Sequence, residues 1–228
     1  MAKRPHVRKP SRKRSVGKVR ETPAPIYHGR QLTAVSLFSG AGGLDLGVEK
    51  AGFKSLACVE FDPFAVETLN AWTQRTGATT KVIRADIRTV NPLDLAKPGI
   101  DLLHGGPPCQ PFSLIGKRGS VTDERGLLLF EMVRFAKALQ PRAILTEQVK
   151  GLLSAPDHNG ERGGVLKRFI ADLEKLGYCV KWSVVCAADY GVPQVRERVF
   201  FVAFKGENGF YFPPPTHSDS PSQAWKWN

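Results

Sequence analysis

The amino-acid sequence predicts an α/β fold, an open and mostly parallel Rossmann-like sheet with flanking helices. Three observations predict it. Short apolar runs rich in Val, Ile and Leu alternate with amphipathic helical stretches up to about residue 176. A glycine-rich turn, Gly40-Ala41-Gly42-Gly43, follows the first apolar run and opens a helix. The alternation then ends in two consecutive apolar runs separated by a polar turn containing Pro193.

Each element follows in order. Residues 33–39 read as a buried strand, and the glycine turn leads into a helix to about residue 52. Residues 54–61 form a second strand, and Pro63 opens the next helix at its first turn, where its fixed φ is suited. Val82-Ile83 lead to a third strand ending at Ala85-Asp86, and residues 100–103 are a fourth. The polar, Gly-containing stretch 113–125 reads as a loop. Residues 126–139 have helical spacing, and 143–149 are a fifth strand. An amphipathic helix over 165–176 is stopped by Gly177. Strands over 180–187 and 199–204 complete the sheet.

Composition narrows the class. A chain of 228 residues with 42% hydrophobic and 24% charged residues suits one sizeable domain with a full core. No apolar run approaches a membrane span, and the amino terminus has no apolar core of a secretory signal. Cys58, Cys109, Cys179 and Cys186 form no C-x-x-C pair and no metal-ligand spacing, so no metal is expected and a reducing cytoplasm is the simplest setting. The net charge is +12, and residues 1–21 hold nine Lys and Arg against Glu21 alone. Residues 1–30 thus read as a basic tail with too little apolar surface to fold, residues 31–212 as the globular domain, and 213–228 as a Pro-rich extension. Such a tail is either a solvated arm or one that neutralises nucleic-acid phosphates.

Ligands of open α/β sheets bind at the carboxyl ends of the strands. Three successive strand ends here carry Phe38-Ser39-Gly40-Ala41-Gly42-Gly43, then Glu60-Phe61, then Asp86-Ile87. Glycines admit close backbone approach, Glu60 is spaced to hold ribose hydroxyls, and Asp86 can accept from an adenine amino group. Either acid alone is as readily a helix cap, but the three together point to an adenosine-containing ligand. A nicotinamide dinucleotide prefers a different glycine spacing with a diphosphate at the helix start, and Asp45 repels a diphosphate there while tolerating a cationic ligand.

The fourth strand ends in Gly106-Pro107-Pro108-Cys109-Gln110-Pro111-Phe112-Ser113. The prolines stiffen the backbone around Cys109, so a thiol can be aimed there at a substrate. Most cysteines are buried and structural, and that reading is taken for Cys58, Cys179 and Cys186, which lie in apolar strands.

With these residues in place, the chain resembles a cytosine-C5 DNA methyltransferase. The resemblance rests on Ser36-Leu37-Phe38-Ser39-Gly40-Ala41-Gly42-Gly43, Glu60-Phe61-Asp62, Asp86-Ile87, Pro108-Cys109-Gln110, Glu147-Gln148-Val149 and Gln194-Val195-Arg196-Glu197-Arg198, in family order over roughly residues 32–217. It implies S-adenosyl-L-methionine as cofactor, held by Phe38 to Gly43, Glu60, Phe61, Asp86, Ile87 and Pro108. It implies double-stranded DNA as substrate, Cys109 as nucleophile on C6 of a flipped-out cytosine, and Glu147 offering a proton at the N3 edge. Arg198 resembles the residue at the base O2 edge, and Arg196 is expected to support Glu147 or a phosphate. Surface ion pairing is the plain alternative for both arginines. Gln110, Ser113 and Gln194 are expected at the DNA, with loop 113–125 closing over the nucleotide.

Two departures stand out. Gln148 occupies a position where the family usually has Asn. No Gly-Asn dipeptide occurs, although family enzymes continue past Arg198 with a target-recognition region and a Gly-Asn helix that packs beside the glycine turn. The preferred expectation is therefore the catalytic subunit of a split restriction-modification type enzyme whose second polypeptide carries those parts. A truncated inactive homologue, acting at most as a DNA-binding or regulatory module, is the alternative, and a transfer-RNA cytosine methyltransferase is a more distant one. Phe210, Tyr211, Phe212, Trp225 and Trp227 are expected to include part of the partner contact, or else to pack on the domain itself.

Overall fold

The computed structural model describes residues 29–108, 128–157, 159–206 and 209–217. The tail to residue 28, Cys109, Gln110, Ser113 and the loop after it, Trp225 and Trp227 lie outside the described residues.

Seven strands form one sheet. They are β1 (Leu32–Leu37), β2 (Phe53–Glu60), β3 (Lys81–Arg84), β4 (Leu102–Gly105), β5 (Ala143–Gln148), β6 (Tyr178–Cys186) and β7 (Glu197–Lys205). Their order is β3-β2-β1-β4-β5-β7-β6. Pairings among β1 to β5 are parallel, and β7 runs antiparallel between β5 and β6. The helices are α1 (Gly43–Lys50), α2 (Pro63–Thr76), α3 (Leu128–Leu139) and α4 (Gly164–Lys175). This is the mostly parallel sheet the sequence predicts.

Local chemistry sets the boundaries. The Asp62 carboxylate accepts from the Ala65 N–H at 2.8 Å and caps α2 just before Pro63. Gly77 ends that helix at φ 68°. Gly42 has φ 83°, and a Cβ there would stand 3.0 Å from Leu69 Cδ2, so glycine lets the turn lie against α2. The fourth strand lies later than expected, at Leu102–Gly105, because His104 is fully buried and Gly105 passes close to β1. A Cβ on Gly105 would meet the Leu37 carbonyl oxygen at 2.3 Å.

The two faces of the sheet are covered unequally. Phe135, Met132 and Leu139 of α3 and Phe169 and Leu173 of α4 pack with Leu103, Ile144 and Phe201 in the main core. On the other face, Val48 of α1 packs with Ala34 and Leu102, with Ala143 and Leu145 of the central β5 only partly buried.

Residues 209–217 return over the β6–β7 hairpin. Phe210 packs 5.7 Å from Phe204 and 5.1 Å from Phe212. The Tyr190 hydroxyl donates to the Pro213 carbonyl at 2.7 Å. Phe210 and Phe212 therefore pack on their own domain rather than standing free for a partner, whereas Tyr211 is 78% exposed beneath Lys181 Nζ. The three thiols expected to be buried also divide. Cys58 is buried, Cys186 is half-buried, and Cys179 is exposed because β6 is an edge strand.

Candidate active site

The carboxyl ends of β1, β2, β3 and β4 surround a cavity of about 670 Å³. Phe38 and Gly40 form one wall, Glu60 and Phe61 a second, Asp86 and Ile87 a third, and Gly106 and Pro108 a fourth. Phe38 holds φ 54°, a left-handed backbone that a bulky residue rarely adopts.

Glu60 shapes the glycine turn. Its Oε2 accepts from the Gly40 N–H at 2.7 Å, and its Oε1 accepts from the N–H groups of Phe61 and Asp62 at 2.8 Å each. Of the roughly four lone-pair positions on a carboxylate, one remains for a ligand hydroxyl. Phe61 is 70% exposed beside the cavity and offers a ring face to a base. Asp86 caps the short 3-10 turn Ile87–Thr89. It also holds Arg88, whose Nη2 is 2.6 Å from Oδ2, and this hydrogen bonding keeps its carboxyl below the ordinary range. Arg88 lines the same cavity and was not foreseen, although an acid and a base two residues apart at a strand end are a legible local pair.

The rest of the glycine stretch does structural work. Ser39 is 8% exposed and donates to Ser36 Oγ at 2.8 Å. Ala41 and Gly42 line a separate groove between α1 and α2, and Gly43 begins α1. Asp45 does not face the ligand as expected. It is 1% exposed and accepts from Cys58 Sγ at 3.2 Å, because its place in the first turn of α1 directs it inward over β2 and β4. Burial pushes the Cys58 thiol far up, and the Asp45 charge adds to this, so Cys58 is inert.

Glu147 stands at the end of β5, and its Oε1 is 2.9 Å from Arg198 Nε. Of the two expectations for Arg196, support of Glu147 or contact with a phosphate, the first thus falls to Arg198. Glu147 pairs with Phe200 across β5 and β7, which makes Arg198 a diagonal neighbour on the same face. Arg196 lies beyond the start of β7 and is exposed, as is Gln194. Gly106 joins the two regions. It lines the cavity, and a Cβ there would stand 3.3 Å from Glu147 Oε2. Gln148 is 1% exposed and donates from Nε2 to the Pro107 carbonyl at 2.9 Å. Among the described residues no helix is long and apolar enough to cross a membrane.

A cavity at four strand ends, lined by Glu60, Asp86, Arg88 and Pro108, agrees with comparison to known proteins. The profile of the family described as C-5 cytosine-specific DNA methylase matches residues 32–226. This chain belongs to that family. The type II methyltransferase M.AquIA of Picosynechococcus is 40% identical over 82% of this chain and 77% of its own length. M.NgoMIV of Neisseria gonorrhoeae is 42% identical over 84% of this chain and 58% of its own. Among solved structures, a methyltransferase described as encoded within an E. coli prophage gives a TM-score of 0.62 at 30% identity, covering 76% of this chain and 47% of that one. The Entamoeba histolytica methyltransferase EhMeth, at 18% identity and TM-score 0.64, shares the fold. The chain spans about half the length of most relatives it matches.

As a C-5 cytosine-specific DNA methylase family member, the chain uses S-adenosyl-L-methionine. The residues present fit it. The cavity has room, Phe61 and Ile87 line it with apolar surface, and Glu60 keeps an acceptor position for a hydroxyl, while both Asp86 oxygens are engaged by Arg88.

Proposed function

We propose that this chain methylates C5 of a flipped-out cytosine in double-stranded DNA, as the catalytic part of an enzyme completed by a second polypeptide. One observation carries the reading: Gly106 lines the cofactor cavity and at the same time lies against Glu147, so the donor and the base meet across one glycine.

The cofactor supplies an electrophilic methyl group. The Cys109 thiolate adds to C6 of cytosine, and the electron pair this places at C5 would take the methyl as its bond to the sulfonium sulfur breaks, the pair staying on sulfur and S-adenosylhomocysteine leaving as a neutral thioether. Solvent water then takes the C5 proton, the C5–C6 double bond re-forms and the thiolate leaves C6. Glu147 acts from its protonated form: one oxygen gives its proton to N3 as the ring gains electron density and takes it back when the thiolate leaves, while Arg198 holds the other oxygen and the O2 edge. Arg196, Gln194, Gln110 and Ser113 contact the DNA strand, and the basic tail adds contacts to phosphates. The nucleotide leaves the stack because neither face of C5 or C6 is open within a duplex.

Two observations support the second polypeptide. The central strand β5 has only partly buried Ala143 and Leu145 on the α1 side, a face that suits a further helix. The chain spans 77% of M.AquIA but 49% of M.NgoFVII, so one relative of this family is itself much shorter than another. The target-recognition region belongs to that second polypeptide. The free thiols suit a reducing cytoplasm, with the enzyme on DNA.

The test is covalent trapping on an oligonucleotide carrying 5-fluorocytosine, with labelled cofactor, with and without the partner. A permanent adduct on Cys109 that Cys109→Ser abolishes is expected in the complete assembly. No adduct in that assembly overturns the chemistry, and strong site-specific methylation by this chain alone overturns the need for a partner.

A further inference from the structure

Gln148 follows Glu147 in β5 and points to the opposite face, among the core residues beneath α3 and α4. It is 1% exposed. Its Nε2 donates to the Pro107 carbonyl at 2.9 Å, and its Oε1 is buried with no partner among the described residues. An apolar side chain here would leave the buried Pro107 carbonyl without this donor, so the amide is explained by the carbonyl it holds and not by packing.

The ladder between β4 and β5 shows what the amide does. Its last register pair is Gly105 with Thr146. Beyond it, Pro107 and Pro108 have no N–H to donate, so main-chain pairing to β5 cannot continue. The Gln148 side chain takes over at that point and ties the Pro107 carbonyl to the strand. Pro107 is two residues before Cys109, and Gln148 is adjacent to Glu147. One strand end therefore sets the offset between the acid and the segment that leads to the nucleophile.

We propose that Gln148 is a positioning residue, which holds the Pro-Pro segment through the Pro107 carbonyl and thereby fixes, relative to Glu147, the point from which the chain leads on to the nucleophile. It touches neither the cofactor cavity nor the base. The role in catalysis rests on the function proposed above, but the tether itself does not.

The test is Gln148→Met, which keeps length and apolar bulk and removes the donor. In the full chain, hydrogen exchange at the amides of Gly105 and Gly106 is expected to quicken about tenfold, with α3 and α4 unchanged and cofactor binding within about twofold. In the complete assembly, the rate of 5-fluorocytosine trapping and kcat are expected to fall together by about 10- to 100-fold, since a misplacement of about 1 Å has that effect, while KM for DNA changes little. Unchanged exchange overturns the tether. Faster exchange with an unchanged trapping rate overturns its catalytic role. An assembly with unsubstituted Gln148 that never traps overturns the proposed chemistry and with it the catalytic role, and hydrogen exchange still decides the tether. If Gln148→Met melts at the same temperature yet loses trapping, mere packing is excluded as the cause.

Discussion

His104 is 0% exposed, and neither ring nitrogen has a hydrogen-bond partner among the described residues. Asp45 Oδ1 lies 4.0 Å from Nε2, and the same oxygen accepts from Cys58 Sγ at 3.2 Å. Burial lowers the imidazole pKa, and the Asp45 charge offsets this only in part, so the ring is neutral and the contact is not an ion pair at neutral pH. In the unfolded chain the ring takes a proton near the ordinary value of about 6.5. Acidification below that value therefore favours the unfolded state, and stability present above it is lost below it. Melting temperatures measured at constant ionic strength should fall from pH 7 to pH 5, and His104→Leu should flatten that fall. An equal fall in the variant would assign it to another group. Gly106→Ala is a second test at this scale. Its Cβ presses on Glu147 Oε2 at 3.3 Å, so methyl transfer should slow by about tenfold or more while the fold melts normally. Single residues were legible in sequence where a motif names them, as with Glu60 and Glu147. The partner of Glu147 was not, because a choice between Arg196 and Arg198 depends on where β7 begins and which face it presents. The inward turn of Asp45 was equally hidden, since an acid in a first helical turn usually faces water.

Asp101, just before β4, closes the amino-terminal end of three strands. Its Oδ2 accepts from the Thr33 N–H at 2.9 Å, and its carboxylate takes the guanidinium groups of Arg30 and of Arg142, the latter at 3.2 Å. Burial raises its pKa, but these hydrogen bonds and charges outweigh burial and bring it down to about 2. The folded state thus binds this proton less readily than the unfolded state, and the stability it gives is complete above about 4 and lost as pH falls toward 2. Asp101→Asn should remove that part of an acid unfolding curve followed by far-ultraviolet circular dichroism, and an unchanged acid limb would show the clasp to be idle. Elements were the most legible scale. Pro63, Gly77 and Gly177 are punctuation that the backbone obeys for steric reasons, and each boundary falls where they stand. The shift of β4 came from His104, a polar residue that reads as the end of an apolar run but is buried in the strand. The edge position of β6, which exposes Cys179, depends on β7 inserting beside β5, and strand order of that kind is not written in local pattern.

At the scale of the whole molecule the chain carries +12, of which the tail supplies a large share. Each phosphate neutralised adds about −0.9 to the slope of log affinity against log salt. Removing residues 1–21 should flatten that slope in titrations against duplex DNA and leave the preferred sequence unchanged, whereas an unaltered slope would leave the tail a solvated arm. Deleting residues 218–228 should weaken assembly with the second polypeptide if Trp225 and Trp227 belong to the contact, as sedimentation would show. The proposed catalysis depends on one antiparallel seam. Glu147 and Arg198 meet only because β7 pairs with β5 in a fixed register. Side chains alternate along a strand, so gaining or losing a single residue between Arg198 and Phe204 would swing the guanidinium to the wrong side of the sheet. The connection over residues 187–193 is under no such arithmetic. A codon slipped inside β7 would turn Val199 or Phe201 out of the core along with the guanidinium that faces Glu147, so the sheet itself guards that pairing.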